Sequence, residues 1–215
     1  LLKENLKIFS IIIFFVISLK PFYLINLALF LPILINKRLR TFFFELLFSK
    51  TSFYCILFLI FTIFYTFINS GCIIFPISQT CFDNLSWSIA KENVTDVSIW
   101  FELWSKAGAN PNFVVDDRLE YISGFNWLSN WLDNYFFNKV SDFLIGLLIL
   151  NLIIIFCFYK KAKFLNKEKT YYLPIYFILV LFLIEWFIRH PTLRYGGYHI
   201  IALITFIPLC LFLKK

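Results

Sequence analysis

Apolar residues run through this chain in stretches that are too long for the interior of a soluble domain. The three longest cover residues 52–70, 140–158 and 171–188. A helix needs about 20 apolar residues to cross the hydrocarbon core of a bilayer, and these stretches approach that length. Apolar types make up 60% of the chain and charged types 15%, which leaves too few charges to cover a soluble surface. The sequence therefore predicts an all-α, polytopic membrane protein.

Shorter apolar stretches add three further candidate spans, over residues 6–19, 21–35 and 198–213. The first two are divided by Lys20-Pro21. Proline favours the first turn of a new helix and disfavours helix at the residue before it. We expect two short helices here, and one long kinked helix is the alternative. The chain is then predicted to have about six spans.

The six spans divide the chain into residues 1–70 and 140–215, with three spans each, and a loop over residues 71–139. Of the 20 basic residues, 13 fall in one set of loops, together with three of the 13 acids. The 13 are Lys3, Lys7, Lys37, Arg38, Arg40, Lys50, Lys160, Lys161, Lys163, Lys167, Lys169, Lys214 and Lys215. By the positive-inside rule this side is cytoplasmic. Both ends of the chain are therefore predicted to be cytoplasmic, and the long loop extracytoplasmic.

The net charge of +7 follows from this distribution, so it predicts no nucleic-acid partner. Membrane lipid is the partner that we expect. A composition rich in Phe, Ile, Asn and Lys is typical of an AT-rich bacterial genome, and we expect an integral protein of a bacterial inner membrane. The chain begins with Leu1 and contains no Met, and we expect it to be a fragment of a longer protein.

The long loop carries two amphipathic segments. Thr95 can cap a helix that begins near Asp96 and ends at residues 107–111, where glycine and proline occur. A second run from Phe125 to Phe136 is rich in Trp and Tyr. Because these residues favour the headgroup level, we expect the second helix to lie on the membrane surface, either as a simple anchor or as a wall of a lipid-substrate cleft.

Two cysteines, Cys72 and Cys81, lie in the same loop, with eight residues between them. An oxidising exterior permits a disulfide between them, and two free thiols are the alternative. No spacing of Cys and His in the chain suggests a metal site. No Walker or dinucleotide motif is present either. The sequence therefore predicts neither a metal nor a cofactor.

The most specific run of residues covers 185–198 and contains Glu185, Arg189, His190, Arg194 and Tyr195. Glu185 and Arg189 are four residues apart on one helix face, which favours a structural ion pair. Arg194 has no acid nearby in sequence, and its planar fork suits a phosphate. We expect the two arginines and the histidine to bind a lipid-linked phosphate, with ordinary lipid headgroups or the acidic loop as the alternative.

Three further residues complete the candidate site. Lys20 is predicted to join the arginines at the outer membrane face. Asp116 and Asp117 in the long loop could act as a general base for a sugar hydroxyl, and an N-cap role for one of them is the alternative.

The chain resembles the polytopic GT-C membrane glycosyltransferases. The resemblance rests on Ser18-Leu19-Lys20-Pro21, which looks like a recurrent helix, Lys/Arg-Pro turn and helix, and on the run from Arg189-His190-Pro191 to Arg194-Tyr195-Gly196, similar to a turn in a bacterial branch. It spans most of the chain, as the later half of such an enzyme. It implies a polyprenyl-phosphate-linked sugar donor used at the extracytoplasmic face and a glycan or lipid acceptor. The catalytic carboxylate of that family lies in the first outer loop, upstream of this chain, so Lys20, Arg189 and Arg194 inherit only donor-phosphate contacts.

The function predicted from the sequence is therefore sugar transfer from a polyprenyl-phosphate donor. An O-antigen polymerase or ligase is an alternative enzyme that also uses lipid-pyrophosphate substrates. A transporter or a non-catalytic membrane protein is an alternative from another class. A transporter should carry polar or broken helices at the bilayer midplane, where this chain has only Asn26 and Asn151.

Overall fold

The computed structural model describes residues 2–158 and 173–212. These residues are mostly helical and form no strand apart from an isolated bridge between Cys72 and Cys81, which confirms the all-α class. They divide into two compact units, Leu1–Ser98 and Ile99–Lys215. The lysines assigned to the cytoplasmic side at positions 160–169 and 214–215 lie outside the described residues.

Over its described residues, 2–98, the first unit is built from four α-helices and two 3₁₀ helices, connected by short turns except around the disulfide. They are α1 (Leu2–Leu19), a 3₁₀ helix (Pro21–Phe30), α2 (Leu31–Ile35), α3 (Lys37–Leu47), α4 (Lys50–Ser70) and a 3₁₀ turn (Ser78–Thr80). The division between the two units falls inside the next helix, α5 (Lys91–Lys106).

Within residues 99–158 and 173–212, the second unit continues with two short helices, a segment of π-helix and three long helices. They are α6 (Arg118–Ile122), α7 (Leu128–Trp131), the π-helix (Leu132–Val140), α8 (Ser141–Phe158), α9 (Leu173–Arg189) and α10 (Leu193–Phe212). α10 packs against both α8 and α9, and Ile178, Leu179 and Phe182 of α9 are buried.

Residues 2–35 form separate helices, so the alternative of one long kinked helix is wrong. α1 ends at Leu19, and Lys20 has extended backbone (φ −153°, ψ 132°) before Pro21 begins the 3₁₀ helix. The cause is local, because proline pushes the residue before it out of the helical region. The two helices fold back on each other, with the rings of Phe9 and Phe30 in contact at 5.4 Å between their centroids.

The segment between the second and third predicted spans is a helix, α3, where the sequence predicts a loop. Phe43 and Leu46 lie on its inner side, where Leu46 is 2% exposed and the ring of Phe43 contacts that of Phe30. The charges at its start concealed this amphipathic pattern. α4 follows directly, and the Ser49 hydroxyl caps it by accepting a hydrogen bond from the backbone N–H of Ser52.

The end of α4 leads into a loop closed by a disulfide. Gly71 ends the helix in the left-handed region (φ 73°), where a side chain would also collide with Ser88. Cys72 and Cys81 are joined by a disulfide bond. Both are buried and pack against Val94 of α5, so the covalent loop is part of a small core.

The start of α5 differs from the prediction, and its end agrees with it. The helix begins at Lys91, so Thr95 is not its cap; the Thr95 hydroxyl instead bonds the carbonyl of Lys91 inside the helix. α5 ends at Lys106, and Gly108 follows with a positive φ of 73°. The predicted stop at residues 107–111 is therefore confirmed.

The second amphipathic segment of the loop is not a separate surface helix. α7, the π-helix and α8 form one continuous helical rod, and its apolar part runs from Leu128 to Cys157 over 30 residues. No glycine or proline interrupts residues 128–145, so nothing ends the helix at the expected boundary. Among the described residues, this rod and α4 are the two helices that are long and apolar enough to cross a membrane.

α10 begins at Leu193, five residues before the predicted start of the last span. Its first turn is fixed by hydrogen bonds from the backbone N–H groups of Tyr195 and Gly196 to the carbonyl of Thr192. Arg194 and Tyr195 therefore belong to a helix and not to the expected glycine-rich loop. This leaves a short turn between α9 and α10, which carries the candidate site.

Candidate functional site

The turn between α9 and α10 consists of His190, Pro191 and Thr192. Pro191 and Thr192 are fully buried, although they lie at the junction of two helices. The backbone N–H of Thr192 bonds the carbonyl of His190 at 2.7 Å. A tight, buried turn of this kind needs partners for its remaining backbone groups.

Three aromatic side chains provide these partners. The indole N–H of Trp131 donates to the carbonyl of Pro191 at 2.6 Å, and that of Trp186 donates to the carbonyl of Thr192 at 2.6 Å. The hydroxyl of Tyr135 accepts a hydrogen bond from the first backbone N–H of α10 at 2.9 Å. Because each buried hydrogen bond contributes roughly 1 kcal/mol, the three together hold the turn in one conformation.

The close approach of α10 to α9 depends on Gly196. A Cβ at this position would overlap the indole ring of Trp186, the same ring that bonds the turn. Gly197 has ordinary space around it, since its nearest neighbour would be the Cβ of Leu193 at 3.7 Å. Of the two adjacent glycines, only Gly196 is therefore required by packing.

The end of α5 contributes a second group of charged residues. The ammonium of Lys106 lies 2.6 Å from a carboxylate oxygen of Glu102 and donates to the carbonyl of Ile122 at 2.6 Å. It also lies 5.4 Å from the centroid of the Trp127 ring. Lys106 is only 3% exposed. A lysine buried to this degree with a carboxylate, a carbonyl and an aromatic face fixes the loop after α5 to the helix.

Arg189 lies beside the same carboxylate. Its guanidinium is 4.0 Å from the second oxygen of Glu102 and remains 64% exposed. The ion pair that we expected between Glu185 and Arg189 is absent, and one carboxylate oxygen of Glu185 is buried without a hydrogen-bond partner among the described residues. The reason is that Arg189 ends its helix and extends toward solvent, whereas the Glu185 oxygen lies in the packed interior.

Arg194 lies in the first turn of α10 and is exposed. Its guanidinium carbon is 5.9 Å from the centroid of the Trp104 ring, and the same ring contacts Tyr195 edge-on at 6.4 Å. Arg194 forms no ion pair with any residue that the structure describes. A cation–π contact orients the guanidinium without using its N–H donors, and the residue is exposed.

His190 packs inside this cluster. Its Nδ1 lies 3.5 Å from the hydroxyl of the fully buried Ser105, and its ring packs on Tyr195 at 5.0 Å between centroids. Burial lowers the pKa of His190 to about 4, although the Glu102 carboxylate opposes this. The imidazole is therefore neutral at pH 7, and the positive charge of the site comes from Arg189 and Arg194.

The structure thus brings together four of the predicted site residues: Arg189, His190, Arg194 and Tyr195. Asp117 has the structural role named as the alternative, since its side chain accepts a hydrogen bond from the backbone N–H of Glu120 and caps α6. Asp116 is exposed beside it. Lys20 belongs to the first unit, where its carbonyl accepts a hydrogen bond from the backbone N–H of Tyr23, and its role at the site stays a prediction.

The sequence analysis missed the residues of α5 that complete the cluster. Glu102, Ser105 and Lys106 are spaced three and four apart, so they share one side of the helix. The sequence does carry a signal for these residues. Glu102 and Lys106 form an acid and base pair four residues apart, just before a helix stop and within a run of aromatic residues.

An apolar groove of about 470 Å³ lies in the same unit, between the π-helix with α8 on one side and α9 and α10 on the other. Tyr176, Leu183 and Leu203 are among the residues along it, and Trp131 and Trp186 contribute their rings. The same two tryptophans donate their N–H groups to the turn. The groove and the turn therefore share two side chains.

Residues 2–201 match the family described as "Domain of unknown function (DUF8201)". The chain belongs to this DUF8201 family. The matched region includes α5, the turn between α9 and α10, and both arginines, so the cluster described above lies within the DUF8201 domain. No curated protein and no solved structure matches the chain.

Proposed function

We propose that this protein is an integral membrane glycosyltransferase that uses a polyprenyl-phosphate-linked sugar at the extracytoplasmic face of a bacterial inner membrane. The chain contributes the site for the lipid phosphate of the donor. The single observation that carries the proposal is that Trp131 and Trp186 line an apolar groove and also hold the turn between two exposed arginines. A ligand with a long apolar chain and an anionic headgroup would fit both features, because its chain can lie in the groove and its headgroup can bind the arginines.

The proposed topology has six spans. They correspond to α1, the 3₁₀ helix with α2, α4, α8, α9 and α10, and the excess of basic residues assigns both ends of the chain to the cytoplasm. The segment from Gly71 to Lys139 and the turn between α9 and α10 are then extracytoplasmic. The disulfide between Cys72 and Cys81 supports this side, because disulfides persist in oxidising compartments.

The charges at the turn suit a phosphate. Arg189 and Arg194 flank the turn, both are exposed, and the positive end of the α10 helix dipole lies between them. A guanidinium can bind two phosphate oxygens in a planar fork. The neutral His190 adds no charge but packs on Tyr195, next to Trp104 and Arg194. The Glu102 carboxylate, 4.0 Å from the Arg189 guanidinium, offsets part of its positive charge.

The chemistry of sugar transfer requires two groups. A base takes the proton of the acceptor hydroxyl, and positive charge stabilises the phosphate that leaves with the polyprenyl chain. Arg189 and Arg194 would supply the second. We assign no residue of this chain to the first.

Replacement of Arg194 tests the proposal. In membranes that contain the full-length protein, Arg194→Ala should lower turnover of the lipid-linked sugar by about 100-fold, the loss seen when one preorganised charge-stabilising donor is removed. Arg194→Lys should recover part of this loss. Arg118→Ala is the matched control, because Arg118 is also an exposed arginine that begins a helix.

The outcomes separate the possible functions. Unchanged turnover in Arg194→Ala, or a loss as large in Arg118→Ala, would remove Arg194 from the donor site. Transfer of an intact oligosaccharide in place of a single sugar would assign the site to a polymerase or ligase that uses the same kind of lipid phosphate.

A further inference from the structure

The outer face of α3 combines positive charge and exposed aromatic surface. Phe43 and Leu46 lie on the side of this helix that packs into the first unit. The opposite side carries Lys37 and Arg40 in its first half, and apolar residues follow in its second half. Both groups are exposed, so packing within the unit accounts for neither the cations nor the apolar residues on this side.

The exposed apolar residues are Phe44 and Leu47 on α3 and Phe48 in the turn after it. Phe44 is 51% exposed, Leu47 41% and Phe48 92%. Phe44 and Leu47 share the helix face of Lys37 and Arg40, since these positions are spaced three, four and seven apart, and Phe48 follows them directly in the turn. The result is a stripe that begins with two cations and ends with three apolar side chains.

The cations of this surface have no acidic partner within the part of the chain that the structure describes. The two acids at the same end of the unit are already paired, Glu45 with Lys3 at 2.7 Å and Glu4 with Lys7 at 2.7 Å. Among the described residues, Lys37, Arg40 and Lys50, the first residue of α4, form no ion pair. The stripe therefore has an uncompensated positive charge.

The position of these cations also opposes the stability of the helix. Lys37 and Arg40 lie in the first turn of α3, where the helix dipole is positive and acidic residues are favoured. No acid occupies that turn. An external anion at this end would satisfy both the side chains and the helix terminus.

We propose that this face of α3 binds the anionic headgroups of a phospholipid bilayer. Lys37, Arg40 and Lys50 contact the lipid phosphates, and Phe44, Leu47 and Phe48 enter the adjacent acyl layer. Charge complementarity favours anionic over zwitterionic lipid, and the exposed aromatic rings favour a bilayer over free phosphate. The proposal does not depend on the sugar-transfer activity, because it concerns the other unit of the chain.

The test measures lipid selectivity of the full chain in nanodiscs. Spin-labelled phosphatidylglycerol and phosphatidylcholine are compared at equal concentration, and the ratio of their association constants with the protein is read from the immobilised component of the spectrum. The double variant Lys37→Gln, Arg40→Gln should lower this ratio by about fivefold for each charge that contacts lipid. The ratio of the natural protein should fall in the same direction as salt is raised.

Two further variants make the result specific. Lys37→Arg, Arg40→Lys keeps both charges and should keep the selectivity. Lys91→Gln removes an exposed cation that is already paired with Asp83 at 2.9 Å and should change nothing. An unchanged ratio in the double glutamine variant overturns the proposal, as does an equal loss in the charge-preserving variant.

A separate fluorescence experiment tests whether the apolar side chains of this face enter the acyl layer of the bilayer. A fluorophore attached at Phe48→Cys, with Cys55, Cys157 and Cys210 replaced by alanine, should be quenched by lipids that carry a doxyl group in the acyl chain and protected from aqueous iodide. Full access to iodide in the nanodisc would contradict the insertion of Phe48.

Discussion

Substitution of Gly196 by alanine should separate α10 from α9 and distort the turn that carries the candidate site. The new Cβ would overlap the indole of Trp186, which is 4% exposed and cannot rotate away without disturbing its neighbours. The same indole donates a 2.6 Å hydrogen bond to the carbonyl of Thr192. One methyl group therefore acts on both the packing of the helices and the conformation of the turn.

The expected loss of stability combines three effects. Overpacking of a buried contact costs roughly 1–3 kcal/mol. If Trp186 moves, its buried indole N–H loses its hydrogen bond at a cost of about 1–3 kcal/mol, while the Thr192 carbonyl keeps its bonds from the backbone N–H groups of Tyr195 and Gly196. Alanine recovers about 1 kcal/mol because it favours helix over glycine. The net loss should be about 3 kcal/mol in the free energy of unfolding.

Gly197→Ala is the matched control, because it makes the same chemical change at the next residue. Its Cβ would meet Leu193 and Phe143 only at ordinary van der Waals distances of 3.7 and 3.8 Å. Because the new methyl group overlaps no neighbour, only the gain in helix propensity remains. The free energy of unfolding of Gly197→Ala should therefore be unchanged or higher by up to about 1 kcal/mol.

The assay is unfolding of the purified protein in mixed micelles as the fraction of denaturing detergent is raised, followed by tryptophan fluorescence. Since Trp186 itself is displaced, the emission of folded Gly196→Ala should also shift. Equal unfolding curves for the two variants would refute the argument, and so would a larger loss in Gly197→Ala.

Two further predictions concern the charged cluster. Lys106→Met should destabilise the protein by about 3 kcal/mol, because it leaves Glu102 largely buried without its ammonium partner; Lys91→Met, at an exposed pair, should cost less than about 1 kcal/mol in the same unfolding assay. His190 has a pKa of about 4 against an ordinary 6.5, so the unfolded chain takes up its proton first and stability falls as the pH drops from 6.5 to 4, by up to about 3 kcal/mol. His190→Gln should remove this part of the pH dependence, and an unchanged slope in unfolding curves measured across that range would contradict the burial of His190.

Patterns of the sequence that act over a few residues were informative about the fold. The break at Lys20-Pro21 arises from the chemistry of proline itself, so it predicted separate helices correctly. The glycine after α5 ended that helix as expected, since Gly108 adopts a positive φ. Such signals depend on neighbouring residues alone, which a sequence displays directly.

Features that depend on tertiary contacts could not be predicted in this way. The interfacial helix expected at residues 125–136 continues into α8, because no residue stops it and the partner helices bury Trp131 and Tyr135. The expected pair of Glu185 and Arg189 is replaced by contact of Arg189 with Glu102, a residue on another helix and distant in sequence. Helical spacing shows which residues share a face, but it does not show what lies opposite that face.

The candidate site was predicted in part for the same reason. Arg189, His190, Arg194 and Tyr195 are close together in sequence and were found together. Their partners on α5, and the tryptophans that hold the turn, were missed because only the fold brings them to the turn. The hydrogen bond from Trp131 to Pro191 joins residues 60 positions apart in the sequence, so no local sequence pattern predicts it.

Binding of a polyprenyl phosphate to the purified full-length protein is the most direct test of the central claim. We expect the natural protein to bind the phosphate and to bind the corresponding uncharged polyprenol much more weakly. Arg189→Gln, Arg194→Gln should weaken phosphate binding at least about 10-fold for each charge-assisted hydrogen bond that is removed, and it should leave polyprenol binding unchanged. Equal affinity of the natural protein for the phosphate and the alcohol would contradict the claim that the turn between α9 and α10 recognises a lipid phosphate.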